Sequence, residues 1–364
     1  MSSEYITFKG SSSGKVVQTT LHPSPGPTEA VVRQTHSGVC GTDLHLSHTG
    51  AALGHEGIGI VESLGASAHL ISDVKVGDRV GLGWMQKYCG KCRMCLSGFD
   101  SMCENSKELW AADNETGSFG KGNVWDVSAL RKIPDELESK DAAPLMCAGA
   151  TVWGAMQRCK VMSHHWVGVV GIGGLGHLAI QFLAKSGCEV VVFSSSDKKR
   201  GEAMQYGATE YHTIDEIKSQ KGETSELYTS ENIKAARGSI KPLDHLFICS
   251  GAQPDYSLTP SLLSNAADIV SYMPLMAMCG NVIPLTVDLA PTPVPLAATI
   301  FMGINILGVK VCNRTEYEDM FNFCVRHKIR PTIQEYPMTE EGINEAVEAL
   351  GEGKVHYRAV VVVA

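Results

Sequence analysis

The chain has 364 residues, 44% of them hydrophobic, and a formal net charge of −8 at pH 7. This length and composition suit two globular domains with buried cores, and the acidic balance argues against a nucleic-acid-binding surface. The longest apolar runs are too short or too rich in glycine to span a bilayer, so we expect no membrane segment.

The first residues lack the basic start and the apolar core of a secretory signal peptide. We therefore expect a cytoplasmic protein. In a reducing compartment its twelve cysteines should serve as metal ligands and buried thiols rather than disulfides.

Three separate segments supply one candidate set of metal ligands. Cys40 lies in Gly-Val-Cys-Gly-Thr-Asp-Leu-His, His55 in Gly-His-Glu-Gly, and Cys147 in Ala-Pro-Leu-Met-Cys-Ala-Gly. Two thiolates and one imidazole leave a position open on Zn²⁺, which is the arrangement of catalytic zinc sites. Such an ion polarises an alcohol or carbonyl oxygen. Each residue alone also suits ordinary packing, so the prediction depends on their occurring together with the dinucleotide motif below.

A second cysteine cluster lies between these segments, with the spacing C-x2-C-x2-C-x7-C. Four thiolates close a tetrahedral cage around one ion, which is the form of a structural zinc site. The alternative is a disulfide cluster, which a reducing compartment disfavours. We therefore predict two zinc ions per chain, the second one held by Cys89, Cys92, Cys95 and Cys103.

A glycine-rich turn follows a β-branched run at 166–170 and precedes a helical pattern. This is the context in which G-x-G-x-x-G indicates dinucleotide binding. Gly171 permits the tight turn, Gly173 lets the backbone approach the pyrophosphate, and Gly176 lets the helix pack on the strand. A further apolar strand, at 189–193, follows at the expected distance.

The residues after that strand favour NADP(H) over NAD(H). An NAD site has an acid at this point for the ribose 2′-hydroxyl, whereas this chain has three serines, then Asp197 and a basic cluster. Hydroxyls and cations suit a 2′-phosphate. The alternative is a solvated helix start capped by serine. The predicted cofactor-binding residues are Thr151, Gly171, Gly173, Gly174, Leu175, Gly176, Ser194, Ser195, Ser196 and Lys199.

With these motifs in this order, the chain resembles the zinc-containing medium-chain alcohol dehydrogenases, and within them the cinnamyl alcohol dehydrogenase-like branch. Lys-Val-Gly-Asp-Arg-Val at 75–80 and Gly-Gly-Leu-Gly-His at 173–177 also match. The resemblance implies an α/β fold. A GroES-like, partly β-barrel catalytic domain would occupy 1–149 and 311–364, and a doubly wound Rossmann NADP-binding domain would occupy 150–310. It also implies a homodimer and a substrate cleft between the domains.

The residues of the second domain agree with this expectation. Strand-like runs at 167–170, 190–193, 243–249 and 268–272 alternate with helical patterns, which indicates a parallel sheet. The stretch 218–241 is polar and long for a connection, so it predicts a helix or a surface insertion.

The resemblance also implies roles for residues beside the open zinc site. Glu56 would approach the metal as a transient ligand, and Asp43 would orient the zinc-binding histidine. Thr42 would exchange a proton with the substrate oxygen, and His45 would pass it toward solvent. Alternatively, Thr42 and Asp43 cap a helix. His48 is expected to be a surface residue.

One departure from the family concerns the loop that leads to His55. Only fourteen residues separate Cys40 from His55, whereas the family commonly has about twenty or more, a change that costs little closure entropy. A lower pocket rim and a bulkier or atypical substrate are therefore expected. Apolar pocket candidates, each equally suited to core packing, are Trp84, Met85, Leu109, Trp110 and Met278.

Three functions follow from these observations. The first is a zinc-dependent oxidoreductase that transfers a hydride between NADP(H) and a small-molecule alcohol or aldehyde, of a bulky or aromatic kind. The second is an NADPH-dependent reductase of a conjugated C=C or iminium bond, and the third is a nucleotide-binding protein without turnover. Thr42 and His45 favour the first, because reduction of a carbonyl requires a proton.

Overall fold

The computed structural model describes residues 4–109, 115–218, 237–250, 272–287, 294 and 296–364. They form two compact units, Met1–Ala150 with Val311–Ala364 (the first unit) and Thr151–Lys310 (the second unit). Three sequence-based expectations lie wholly or mostly outside the described residues: the pocket residue Trp110, the strand at 268–272 and the insertion at 218–241.

The secondary structure alternates short strands and helices along the chain. The strands are β1 (Tyr5–Lys9), β2 (Val17–Leu21), β3 (Glu29–Val39), β4 (Gly57–Leu64), β5 (Arg79–Leu82), β6 (Met85–Lys87), β7 (Lys107–Glu108), β8 (Gly122–Asp126), β9 (Arg131–Lys132), β10 (Trp166–Val170), β11 (Glu189–Ser194), β12 (Glu210–Thr213), β13 (Leu243–Ile248), β14 (Met276–Pro284), β15 (Asn305–Ile306), β16 (Ile333–Pro337) and β17 (Arg358–Val362).

No helix that the structure describes is both long and apolar enough to cross a membrane. They are α1 (Gly41–Leu46), α2 (Arg93–Leu96), α3 (Ser139–Pro144), α4 (Ala150–Arg158), α5 (Gly176–Lys185), α6 (Arg200–Tyr206), α7 (Ile214–Lys218), α8 (Leu296–Met302), α9 (Arg314–His327) and α10 (Glu340–Gly351).

The first unit is built on a seven-stranded, mostly antiparallel sheet in the order β16-β17-β3-β4-β5-β9, with β8 also pairing with β3. The long strand β3 ends at Val39, where its register places Ser37 opposite Gly57 of β4. Val39 itself lies opposite Ala359 of β17. The segment that follows β3 and the segment that precedes β4 therefore meet at one edge of the sheet.

A further part of this unit lies between β6 and β7, which pair with each other. This four-cysteine lobe, residues 85–108, contains α2 and the short 3₁₀ helix Asp100–Met102. Its cysteines pack into the same hydrophobic cluster as the neighbouring strands, with Leu82, Met85, Tyr88, Leu109 and Trp125.

Among its described residues, the second unit contains a six-stranded parallel sheet in the order β12-β11-β10-β13-β14-β15. Counted along the chain this is the order 3-2-1-4-5-6 of dinucleotide-binding folds. Strand β10 is a continuous apolar run, and β11 and β13 are largely apolar and buried apart from Glu189 and Ser194 in β11 and Asp244 and His245 in β13. The three runs predicted at 167–170, 190–193 and 243–249 coincide with these strands to within a residue or two. Strands β14 and β15 were not predicted, since β14 contains a glycine and ends in proline and β15 has two residues.

Candidate metal centres and cofactor loop

The structure brings together the four residues of the open cluster, which we define as Cys40, His55, Glu56 and Cys147. Their ligand atoms all lie within 4.8 Å of one another. Cys40 is the N-cap of α1, and His55 and Glu56 directly precede β4. Cys147 lies in the π-helical turn Leu145–Gly149 between α3 and α4, a local geometry that is frequent at functional sites.

The buried groups of the open cluster shift one another's pKa values. A hydrogen bond from Cys147 lowers the pKa of Cys40 well below its ordinary value, and the same contact together with burial raises the pKa of Cys147. Burial opposes protonation of His55, but the negative charges of Asp43 and Cys40 outweigh it and raise its pKa. A buried imidazole between ionisable sulfurs is the donor set that Zn²⁺ prefers.

Glu56 completes the cluster through a contact that the sequence reasoning missed. Its Oε1 pairs with Nη2 of Arg358, the first residue of β17, and both side chains are buried. Burial raises the pKa of Glu56 to about 7, although Arg358 pulls it downward. Among the described residues, Glu56 Oε2 has no hydrogen-bond partner. The available signal for Arg358 was a lone arginine at the start of an all-apolar strand.

Asp43 contacts both the segment that carries Cys40 and the segment that carries His55. Its Oδ2 accepts the N–H of Cys40 and its Oδ1 accepts the N–H of Gly54, each at 2.9 Å. Oδ1 also lies 3.4 Å from His55 Nδ1, and the carboxylate is fully buried. Asp43 therefore caps α1, as the alternative interpretation has it, and also faces the imidazole.

Thr42 and His45 lie on α1 next to the open cluster. Thr42 Oγ1 is 3.8 Å from Cys40 Sγ. His45 is exposed and follows one helical turn later. His48 is exposed in the turn after the helix.

The shortened loop reaches His55 by running along β1. Gly10 donates to the carbonyl of Ala51 at 2.9 Å, and Leu53 donates to the carbonyl of Phe8 at 3.1 Å. Residues 51–53 are buried by this pairing. The ligands converge without a longer loop, and the expected lower rim stays a prediction.

The four-cysteine lobe has the sulfur geometry of a metal cage. Sγ of Cys89 lies 3.9 Å from that of Cys95, and Sγ of Cys92 lies 3.9 Å from that of Cys103. Four ligands at about 2.3 Å from a tetrahedral ion are about 3.8 Å apart, whereas disulfide sulfurs are about 2.05 Å apart. All twelve cysteines are free thiols. These distances favour an ion over the alternative of a disulfide cluster.

The glycine loop has the shape that a dinucleotide requires. Gly171 has φ of 86°, in the left-handed region that favours glycine. A Cβ at Gly176 would collide with the carbonyl oxygen of Gly171, whereas a Cβ at Gly173 would meet nothing within 4 Å. The open side of Gly173 leaves room for a pyrophosphate against the backbone, and Gly174 and Leu175 continue the loop into α5.

The residues predicted to recognise the 2′-phosphate lie next to this loop. Ser194 is the last residue of β11, and Ser195 and Ser196 follow it. Lys199 donates from Nζ to the carbonyl of Ile172 at 2.8 Å, which places its ammonium group against the glycine loop. Thr151, in contrast, donates to the carbonyl of Lys310 at 3.3 Å.

The pocket candidates occupy different environments. The Trp84 ring stands edge-on to His55, with centroids 5.7 Å apart. Met85 and Leu109 are buried in the core of the first unit, and Met278 is exposed on β14 of the second unit. Packing accounts for Met85 and Leu109, so a substrate contact for them stays a prediction.

Comparisons with known proteins identify the family. Residues 26–135 match the alcohol dehydrogenase GroES-like domain, and residues 174–326 match the zinc-binding dehydrogenase domain. The chain is 30% identical over 342 residues to "Aldehyde reductase AdhA" of Synechocystis sp., covering 92% of this chain and 91% of that one. This chain belongs to the zinc-containing medium-chain alcohol dehydrogenases.

Two further similar proteins support the assignment. An alcohol dehydrogenase of Geobacillus stearothermophilus is 29% identical, with 91% of each chain covered. The structure of a cinnamyl alcohol dehydrogenase from Sorghum bicolor superposes with a TM-score of 0.82 at 25% identity, covering 99% of this chain and 98% of that one. The predicted family, the fold class and the general activity of a zinc-dependent alcohol or aldehyde oxidoreductase are confirmed.

Proposed function

We propose that this chain is an NADP(H)-dependent, zinc-dependent aldehyde reductase and alcohol dehydrogenase for bulky or aromatic substrates. The observation that carries the proposal is the convergence of Cys40, His55 and Cys147 beside the Thr42 hydroxyl. Zinc held there would supply Lewis-acid activation of the substrate oxygen, and NADP(H) would supply or accept the hydride. The cage of Cys89, Cys92, Cys95 and Cys103 would hold a second, structural zinc ion.

Side chains beside the open cluster transfer the proton between the substrate oxygen and solvent. Thr42 Oγ1 exchanges a proton with the substrate oxygen, and His45, exposed one turn further along α1, connects this hydroxyl to solvent. Asp43 fixes the orientation of the His55 ring through Nδ1. Glu56 is held by Arg358 through Oε1, and its carboxylate lies within reach of the other ligand atoms, where it would act as a transient ligand.

Recognition of NADP(H) is proposed from Ser194, Ser195, Ser196 and Lys199. No acid stands at the end of β11 to repel a 2′-phosphate, and the ammonium group of Lys199 already lies against the loop. The aromatic preference is supported by Trp84, whose ring contacts His55. A cytoplasmic homodimer is proposed by analogy with the family.

The test is NADPH oxidation measured against a panel of aldehydes, enals and iminium ions, followed by three variants on the best substrate. Thr42→Ala should lower aldehyde reduction by at least about a hundredfold, within the range for a positioned acid–base group. His45→Ala should cost less, because water can replace an exposed relay group. His48→Ala is the matched control, since it removes an exposed imidazole from the same segment, and it should leave turnover unchanged.

The outcome separates the two enzymatic hypotheses. Hydride delivery to an enal β-carbon or an iminium carbon needs no proton from Thr42 at the substrate oxygen. The carbonyl hypothesis would be rejected if the protein preferred an enal or iminium substrate over aldehydes and Thr42→Ala kept activity on that substrate within a few-fold. Conjugate or iminium reduction would then be the function.

A further inference from the structure

We propose that Tyr317 is a positioning residue for the ligand Cys147. The position of the Tyr317 side chain depends in turn on the four-cysteine lobe, through a stack of aromatic and guanidinium groups. The inference rests on the open metal site proposed above. All residues involved belong to the first unit.

The contact that defines the role is a hydrogen bond to the turn that carries Cys147. Tyr317, on α9, is buried and donates from its hydroxyl to the carbonyl of Met146 at 3.2 Å. This carbonyl belongs to the peptide that joins Met146 to Cys147. A π-helical turn departs from regular helical hydrogen bonding, so an external donor to one of its carbonyls restricts the orientation of the next residue.

The surroundings of this bond leave it little freedom. A Cβ added at Gly83 would lie 3.3 Å from the Met146 carbonyl oxygen and 3.4 Å from the Tyr317 hydroxyl oxygen. A Cβ at Gly81 would collide with the Met146 side chain. Strand β5 and the glycine after it therefore close the space on the other side of the turn.

A stack of rings and cations leads from Tyr317 to the lobe. The guanidinium carbon of Arg131 lies 5.7 Å from the Tyr317 ring centroid and 5.5 Å from that of Tyr88. Arg131 is itself fixed by donating to the carbonyls of Leu130 and Ser128 at 2.8 and 3.1 Å. Contacts between a partly buried guanidinium and buried rings are favourable, and Tyr88 directly precedes the ligand Cys89.

A second set of contacts anchors the lobe on the beginning of α9. Asp100, between Cys95 and Cys103, accepts the backbone N–H and the Nε–H of Arg314 at 2.9 and 2.6 Å. Ser101 donates its N–H and its hydroxyl to Asn313 Oδ1. These bonds hold the helix one turn before Tyr317, so both routes from the lobe converge on this side chain.

The experiment uses the full-length, metal-loaded protein and compares Tyr317→Phe with Tyr5→Phe, which removes a hydroxyl paired with Glu62 in the same unit. The readouts are metal release from the open cluster to a chelator and the visible spectrum of cobalt(II) exchanged into it. Tyr317→Phe should speed release about tenfold, as for other residues that orient ligands, change the cobalt spectrum and lower kcat more than it raises KM. Tyr5→Phe should change none of these.

The dependence of the Tyr317 position on the four-cysteine lobe is tested with Arg131→Met, alone and combined with Tyr317→Phe. If both act along one route, the double variant releases metal no faster than the worse single variant. Metal release and a cobalt spectrum in Tyr317→Phe that equal those of the unmodified protein would overturn the positioning role. An unmodified protein that binds metal only in the four-cysteine lobe would overturn the proposed function instead, and this inference with it.

Discussion

Replacing Asp43 with asparagine tests whether the contacts of this carboxylate position the ligands Cys40 and His55. Each carboxylate oxygen accepts one backbone N–H at 2.9 Å, from Cys40 and from Gly54, and Oδ1 also faces His55. Asparagine keeps the shape but has one acceptor oxygen and one donating amide. Because the amide must then face an N–H group, one buried bond to a charged acceptor is lost, at a cost of about 1.5–3 kcal/mol.

That free energy corresponds to a factor of about ten to a hundred in an equilibrium constant. We expect zinc affinity, measured by competition with a chelator, to fall by this factor, because the contacts of Asp43 hold Cys40 and His55 in place. Asp126→Asn is the matched control. That carboxylate is also buried and accepts from Ser128, Thr28 and Lys87 at 3.0, 2.7 and 2.9 Å. Its loss should lower stability to urea but leave the zinc affinity of the open cluster unchanged. Zinc affinity in Asp43→Asn equal to that of the unmodified protein would refute the reasoning.

Three other predictions follow from separate parts of the molecule. Ser194→Asp should reduce the preference for NADPH over NADH by about ten- to a hundredfold; equal ratios of catalytic efficiency before and after the change would contradict the cofactor proposal. Cys95→Ser should lower the melting temperature with loss of one zinc ion, because structural zinc contributes folding free energy, whereas Cys147→Ser should melt close to the unmodified protein. Burial and the neighbouring His165 lower the pKa of His245 in the folded protein to about 4. In the unfolded chain a histidine has a pKa of about 6.5, so the unfolded chain takes up the proton first as the pH falls. The free energy of unfolding should therefore drop by about 2 kcal/mol between pH 7 and pH 5, and His245→Gln should lose this pH dependence in urea titrations.

Much of the candidate site was predictable because its residues stand at the ends of regular elements. The glycine motif predicts its own strand, turn and helix, and the structure places Gly171, Gly173 and Gly176 accordingly. Cys40 and His55 are brought together by the register of two paired strands. Ligand chemistry alone therefore indicated a cluster that the sheet then assembles.

The supporting contacts were not predictable from local sequence, because their partners are far apart along the chain. Arg358 is 302 residues from Glu56, and Tyr317 is 171 residues from Met146. Spacing and periodicity carry no information about such pairs. The strand β14 was missed for a local reason, since its glycine and terminal proline are atypical of a central strand.

The most direct test of the proposed chemistry is aldehyde-dependent NADPH oxidation by the unmodified protein beside Cys147→Ser. If Cys40, His55 and Cys147 hold the metal that activates the carbonyl, the unmodified protein turns over and Cys147→Ser loses at least about a hundredfold in kcat/KM, equivalent to about 3 kcal/mol of transition-state stabilisation. Aldehyde reduction by a folded Cys147→Ser protein within a few-fold of the unmodified rate would contradict it.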